Sequence, residues 1–313
     1  MLAGGAAKGA YESGVMDFLA QQHITVDAIA GTSIGALNGA LMASSATVAD
    51  GAEAVRRVWD MIGARFGDLP DADADTSTWW EPAADVRRRL MSRFATAMRE
   101  RGFLEEIAQQ IDPARIRAGR PFWIAAYPML PKYVINPFLR HYFELVRAVV
   151  RSRSELIRLN DLGDDDIRNA VLGSAALPYI LPSRTVAGQR YRDGWIGGEN
   201  IPVGALVQEE RCEAVIVVHL DRVVSQRWDK FPTLRRVDIV PSEPLSPPGP
   251  LGMVTGLFDF SPKRSAHLRD LGHRDATTAF HTTITPVVGI DQLRSSESMM
   301  LDALSRARSS DAT

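Results

Sequence analysis

The chain of 313 residues is 45% apolar and 24% charged, enough apolar material to bury a substantial core as one large domain or two smaller ones. With 36 Lys and Arg against 38 Asp and Glu, the formal net charge of −2 excludes a global pull toward nucleic acid or an anionic membrane, so any membrane contact must be local. The single cysteine, Cys212, excludes an internal disulfide and belongs to no metal-ligand spacing; no apolar run reaches membrane-spanning length and the opening lacks a signal-peptide pattern. The expectation is a cytoplasmic protein with Cys212 as a buried spectator.

The first residues, "MLAGGAAKGAYESG", set Gly4, Gly5 and Gly9 around Lys8 after a stub of strand at positions 1–3. "AYESGVMDFLAQQ" then places Tyr11, Val15, Phe18 and Leu19 at helical spacing, and "ITVDAIAG" reads as a short buried strand. "GTSIGALNGALMASSA" makes a sharp turn into a helix of small residues, so the opening is the βαβα start of an α/β domain with a parallel sheet. Residues 48–110 read as mainly helical around an acidic loop, "GDLPDADADTSTWWEP", and form a candidate cap; "PFWIAAYPM" returns to the sheet as a strand.

"PFLRHYFELVRAVVRSR" is amphipathic: Leu139, Tyr142, Phe143, Val146, Val149 and Val150 share a face, with Arg140, Arg147, Arg151 and Arg153 around it. Two readings stay open for this 130–153 insert, a face packed on the sheet with solvated arginines, or a helix lying on a lipid surface. "SELIRLN" reads as a strand, "DDDIRNAVLGSAALPYILP" as a helix with acids in its first turn and an end at Pro178, and "EAVIVVHLD" as a central buried strand. A Pro-rich loop, "PSEPLSPPGPLG", precedes a last helical segment; the domain runs over 1–304 and the tail 305–313 is expected to be disordered.

Ser33 sits in G-x-S-x-G between the strand and the small-residue helix. In a nucleophile elbow Gly31 and Gly35 are needed because side chains there would strike the neighbouring strand and helix, and the helix N-terminus favours negative charge at the serine. The plainer alternative is a tight turn with Ser33 as an N-cap. Gly4, Gly5 and Ala6 can present backbone N–H groups to a tetrahedral oxyanion. A dinucleotide-binding loop competes for the same glycines, but Ala6 holds the middle glycine position and no acid stands at the tip of the second strand.

The serine needs a base. A triad in α/β-hydrolase order would place the nucleophile deeper in the chain and draw on a late histidine, His267 or His273, whereas Ser33 comes early. Asp193 in "QRYRDGWIGGENIPV" is the other candidate, able to take a serine proton directly if burial raises its proton affinity, although D-G is also a common turn dipeptide.

Taken together, "GGAAKGAYESGV", "GTSIGALNG" and "DGW" followed by "ENIPV", with 28 residues from Gly5 to Ser33 and 160 from Ser33 to Asp193, resemble the motifs of the patatin-like phospholipase family. "GSAALPYILP" and "HLRDLGHRDA" add to the likeness. The resemblance implies a three-layer α/β/α fold with a mainly parallel central sheet and a helical cap region. It implies a Ser33–Asp193 dyad without histidine, an oxyanion hole of Gly4, Gly5 and Ala6, and motif glycines Gly9, Gly31, Gly35 and Gly194. Neither metal nor cofactor is implied. The reaction would be hydrolysis of phospholipids, lysophospholipids or acylglycerols through an acyl-serine, with lipid substrate and peripheral membrane contact as partners and no nucleic acid. Ala6 in place of a third glycine, Trp195 after the D-G pair and one extra residue before "NIP" depart from the family pattern and open a second reading, a weakly active lipid-binding module.

Overall fold

The computed structural model describes residues 1–66, 103–129, 153–178, 181–223, 228–247 and 252–283. The acidic loop inside 48–110, the aromatic-basic stretch from 138 to 152 and the tail lie outside the described residues. The short opening strand is a single bridging residue, Leu2, followed by a 3-10 turn, Ala6–Gly9, and helix α1, Ala10–Gln21. Strand β1 covers only Ile29–Thr32, later than the "ITVDAIAG" run begins, because its ladder partner β2, Phe122–Pro128, starts opposite Ile29.

Helix α2, Ile34–Ala43, is buried along its whole length, which its alanines and glycines permit by letting neighbouring backbones approach. Helix α3, Val48–Phe66, packs on α1 and α2 through Val55, Val58, Trp59 and Ile62, the spacing of an amphipathic helix. Two short helices follow, α4 at Phe103–Gln109 and α5 at Pro113–Ala118, the latter capped by Asp112 and opened by Pro113. Strand β3, Glu155–Arg158, leads to helix α6, Asp164–Ser174, which begins with three acids and ends before Pro178.

A hairpin not foreseen in the sequence follows. Strands β4, Arg184–Val186, and β5, Gln189–Asp193, are joined through Ala187 and Gly188 at φ 47° and 83°, the paired positive values of a tight hairpin turn. Strand β6, Ala214–Val218, pairs in parallel with β7, Arg235–Ile239, and helices α7, Gly252–Phe258, and α8, 262–283, complete the described chain. Cys212 is only half-buried.

Leu2 bridges Gly31 on one side and Val218 on the other, both in parallel sense, so one sheet runs from β7 and β6 through Leu2 to β1 and β2. The sheet is mixed, because β3, β4 and β5 join it antiparallel. The register fixes where β5 lies. Residues 123–125 of β2 pair with both β1 and β3, so these occupy opposite edges; Ala126 pairs with both Glu155 of β3 and Asp193 of β5, so β5 lies on the β1 edge. Strand β5 therefore takes over that edge where β1 leaves it after Thr32, and its last residue arrives beside Ser33.

Candidate active site

At Ser33 the chain leaves β1 with φ 56° and ψ −122°, a backbone conformation that a residue with a side chain holds only when its surroundings enforce it. The surroundings are bare backbone. A Cβ on Gly31 would stand 2.3 Å from the Gly35 carbonyl oxygen, and one on Gly35 would stand 2.6 Å from that of Leu2. Strand, helix start and N-terminal stub stack without side chains between them, which explains both glycines of G-x-S-x-G.

The Ser33 hydroxyl donates to Asp193 Oδ2 at 2.7 Å, and both residues are buried. Asp193 Oδ1 accepts the Trp195 N–H at 2.9 Å and so caps the 3-10 turn Gly194–Gly197. The turn-forming and base-like readings of D-G thus describe one geometry. Gly194 is required by contact, since a Cβ there would lie 2.4 Å from the Ala125 carbonyl oxygen. Trp195 engages the carboxylate through its backbone and stands 63% exposed. Burial pushes the Asp193 carboxyl up to about 6, with the Ser33 and Trp195 hydrogen bonds holding it down against that rise.

The glycine turn is partly occupied. The Gly4 N–H donates to Asn200 Oδ1 at 2.9 Å, while Asn200 Nδ2 donates back to the Gly4 carbonyl at 3.3 Å. Of the three amides expected to face an oxyanion, that of Gly4 is therefore engaged; those of Gly5 and Ala6 have no acceptor among the described residues. Ala6 adopts φ 50°, the left-handed conformation in which its Cβ is a burden and the family's glycine would fit. The Gly9 carbonyl accepts from Asn38 Nδ2 at 3.1 Å, and Lys8 pairs with Asp221 at 2.7 Å.

Three of the six histidines have other partners. His219 meets Asp238 at 2.9 Å, His267 meets Glu243 at 3.2 Å and His273 meets Gln21 at 2.9 Å; His141 lies outside the described residues. Among the described residues no cluster of three or more His, Cys, Asp or Glu is placed to hold a metal, and no helix is long and apolar enough to cross a membrane.

Two polar residues at the site were given no role in the sequence reading. Asn200 clamps Gly4, and Ser174, at the end of α6, accepts the Ser33 N–H. Both belong to quoted stretches, "ENIPV" and "GSAALP"; the available signal for Ser174 was a lone hydroxyl closing an otherwise apolar helix end.

Residues 1–207 match the family described as Patatin-like phospholipase. No curated protein matches the sequence. Similar solved structures include VipD from Legionella pneumophila, 11% identical over 90% of this chain and 66% of that one, with a TM-score of 0.43. They also include the type III effector protein ExoU, 16% identical over 90% and 52% with a TM-score of 0.39, and the ExoU–SpcU complex from Pseudomonas aeruginosa, 14% identical over 91% and 51% with a TM-score of 0.38. The chain spans about half to two thirds of the length of these neighbours. On the strength of the match over residues 1–207, the chain belongs to the patatin-like phospholipase family, whose members are generally lipid acyl hydrolases.

Proposed function

We propose that this protein is a carboxylic ester hydrolase for lipids, working through a Ser33–Asp193 dyad. The observation that carries the reading is the 2.7 Å hydrogen bond from a buried, positive-φ serine to a buried carboxylate. A carboxyl raised to about 6 is ionised at neutral pH yet basic enough to share the serine proton during attack. Ser33 Oγ adds to the ester carbonyl carbon as Asp193 takes its proton, and the carbonyl oxygen becomes an anion facing the Gly5 and Ala6 amides. Collapse expels the alcohol, which receives the proton from Asp193. Water then loses a proton to Asp193 while attacking the acyl group, and Ser33 is released with its proton restored.

Three large apolar side chains are exposed among the described residues: Leu156, Trp195 and Val223. Leu156 pairs with Ala125, Trp195 follows the base by two residues, and Val223 follows Asp221, the partner of Lys8 in the glycine turn. Trp195, whose N–H is bonded to the base, sets an exposed apolar ring beside the dyad, which supports a phospholipid, lysophospholipid or acylglycerol delivered from a lipid surface. The alternative, a lipid-binding module with little turnover, draws on the left-handed Ala6 and the occupied Gly4 amide.

Fluorophosphonate labelling of Ser33 and hydrolysis of p-nitrophenyl acyl esters separate the two. Ser33→Ala and Asp193→Ala are each expected to lower kcat by at least about 10³-fold while the fold persists. Full activity in Asp193→Ala would sink the dyad, and an unlabelled wild-type Ser33 would favour the binding module.

A further inference from the structure

Both members of the dyad are tied by their backbones to one short segment at the end of α6. The Ser33 N–H donates to Ser174 Oγ at 2.9 Å, and two residues later the Ala176 carbonyl accepts the Asp193 N–H at 3.2 Å. Ser174 Oγ in turn donates its own proton to the Ala125 carbonyl at 2.7 Å. Ala125 is the residue of β2 opposite Thr32, the last paired position of β1, and its carbonyl is also the atom against which Gly194 packs. One hydroxyl therefore sits where β1 peels away from the sheet, where the Ser33 amide needs an acceptor and where the loop after the base touches β2.

Ser174 is fully buried, and the contact asks its side chain to accept and donate at once, which a hydroxyl does and a methyl group does not. Removing the oxygen leaves a buried N–H and frees the corner at Ser33 to relax from φ 56°. Any such relaxation moves Ser33 Oγ relative to Asp193, since Asp193 is held by other bonds, its backbone N–H on the Ala176 carbonyl and its Oδ1 on the Trp195 N–H.

We propose that Ser174 is a positioning residue for the proposed Ser33–Asp193 chemistry: its hydroxyl splints the nucleophile corner to β2 and so sets the separation between nucleophile and base. The inference rests on the dyad reading above. Misplacement of reacting groups on the ångström scale costs about 10²-fold in rate, and the alignment of Oγ, unlike the acyl-binding surface, is what changes.

Ser174→Ala is therefore expected to lower kcat on a p-nitrophenyl acyl ester by about 10²-fold with KM nearly unchanged, and to slow fluorophosphonate labelling of Ser33 in parallel. Loosening the serine-to-carboxylate bond removes a donor that holds Asp193 down, so the acid midpoint of activity moves to higher pH. Ser174→Thr, which keeps the hydroxyl, restores most of the rate. A folded Ser174→Ala that labels at the wild-type rate with an unmoved acid midpoint overturns the proposal. Should Ser174→Ala fail to melt cooperatively, the near-isosteric Ser174→Cys decides: a normal melt with slow labelling supports the role, and wild-type labelling overturns it. Failure of wild-type Ser33 to label brings down the dyad reading and this inference together, whereas a labelled wild type with an indifferent Ser174→Ala brings down this inference alone.

Discussion

Helix α2 has buried polar chemistry at its start and again at Asn38, and the two regions treat a carboxyl group differently. At the front, Asp193 receives two donors, the Ser33 hydroxyl on one oxygen and the Trp195 N–H on the other. Behind, Glu12 of α1 receives Asn38 Nδ2 on Oε2 at 2.9 Å, and its Oε1 has no hydrogen-bond partner among the described residues. Both are fully buried. Burial lifts Asp193 to about 6 and Glu12 to about 8, with hydrogen bonds opposing the rise in each case. The front carboxyl is consequently charged at neutral pH and fit to take a proton, while the rear one keeps its proton and acts as a neutral strut joining α1 to α2. Burial is the largest cause at both, and the two carboxyls end on opposite sides of neutrality.

The backbones differ in the same direction. Ser33 and Ala6 at the front hold positive φ values, while the rear network of Glu12, Asn38 and Trp59, with Trp59 Nε1 donating to Asn38 Oδ1 at 3.1 Å, joins three regular helices. The proposed chemistry sits on two of the five non-glycine residues with positive φ among the described residues, and the rear network on none.

The largest effect that tests this contrast is the pH dependence of turnover. Asp193 must be ionised to accept the serine proton, so kcat/KM on a soluble p-nitrophenyl ester is expected to be flat above pH 7. It should bend near pH 6 and fall about tenfold per unit below it. Activity that stays level down to pH 4.5 would break the assignment of Asp193 as the base.

Glu12 is expected to control stability in place of rate. Its folded value lies above the unfolded one, so its contribution is fully present below about pH 4.5 and is lost as pH rises through about 8. Between pH 6 and 8 the Met1 ammonium, which burial lowers to about 6, works in the opposite direction and adds stability as pH rises, so the Glu12 contribution is read as the difference between wild type and Glu12→Gln. Relative to Glu12→Gln, wild-type unfolding free energy in urea should drop by about 3 kcal/mol across that window. Glu12→Gln should leave a rise in stability with pH across that window, the Met1 contribution alone, and leave the acid limb of activity near pH 6. A limb that moves with Glu12→Gln would show that the two regions are not separate.

Much of this arrangement was legible in the sequence because it rests on residues whose chemistry is local. Gly31 and Gly35 bracket Ser33 between a strand-like run and a helix of small residues, and that context favoured backbone stacking of strand on helix over a plain turn. The D-G pair at Asp193 and the early glycine turn were visible for the same reason. The β4–β5 hairpin was not, since "RTVAGQRYRD" mixes arginines with β-branched residues and its turn uses Ala187 where a glycine or asparagine would have signalled it. Nor was the clamp on the Gly4 amide: Asn200 lies 196 positions away, and only the way β5 replaces β1 along the edge of β2 brings them together. Ser174 was hidden for a similar reason, as its acceptor and donor roles face the corner after β1 and a residue of β2, both far away in sequence.

The smallest test bears on strain at the front. Ala6 at φ 50° carries the penalty of a left-handed residue with a Cβ, about 1–2 kcal/mol, which glycine escapes while losing some of that gain to the entropy of its unfolded state. Ala6→Gly should therefore stabilise the fold by about 0.5–1 kcal/mol, read as a higher urea midpoint at unchanged slope. Because the turn already holds the conformation glycine prefers, the Gly5 and Ala6 amides keep their direction and kcat should hold or rise slightly. A lower midpoint would mean that the alanine methyl group contributes packing worth more than the strain it causes. A higher midpoint with lost turnover would mean that the strained alanine, and not merely the turn around it, aims the amides at the oxyanion.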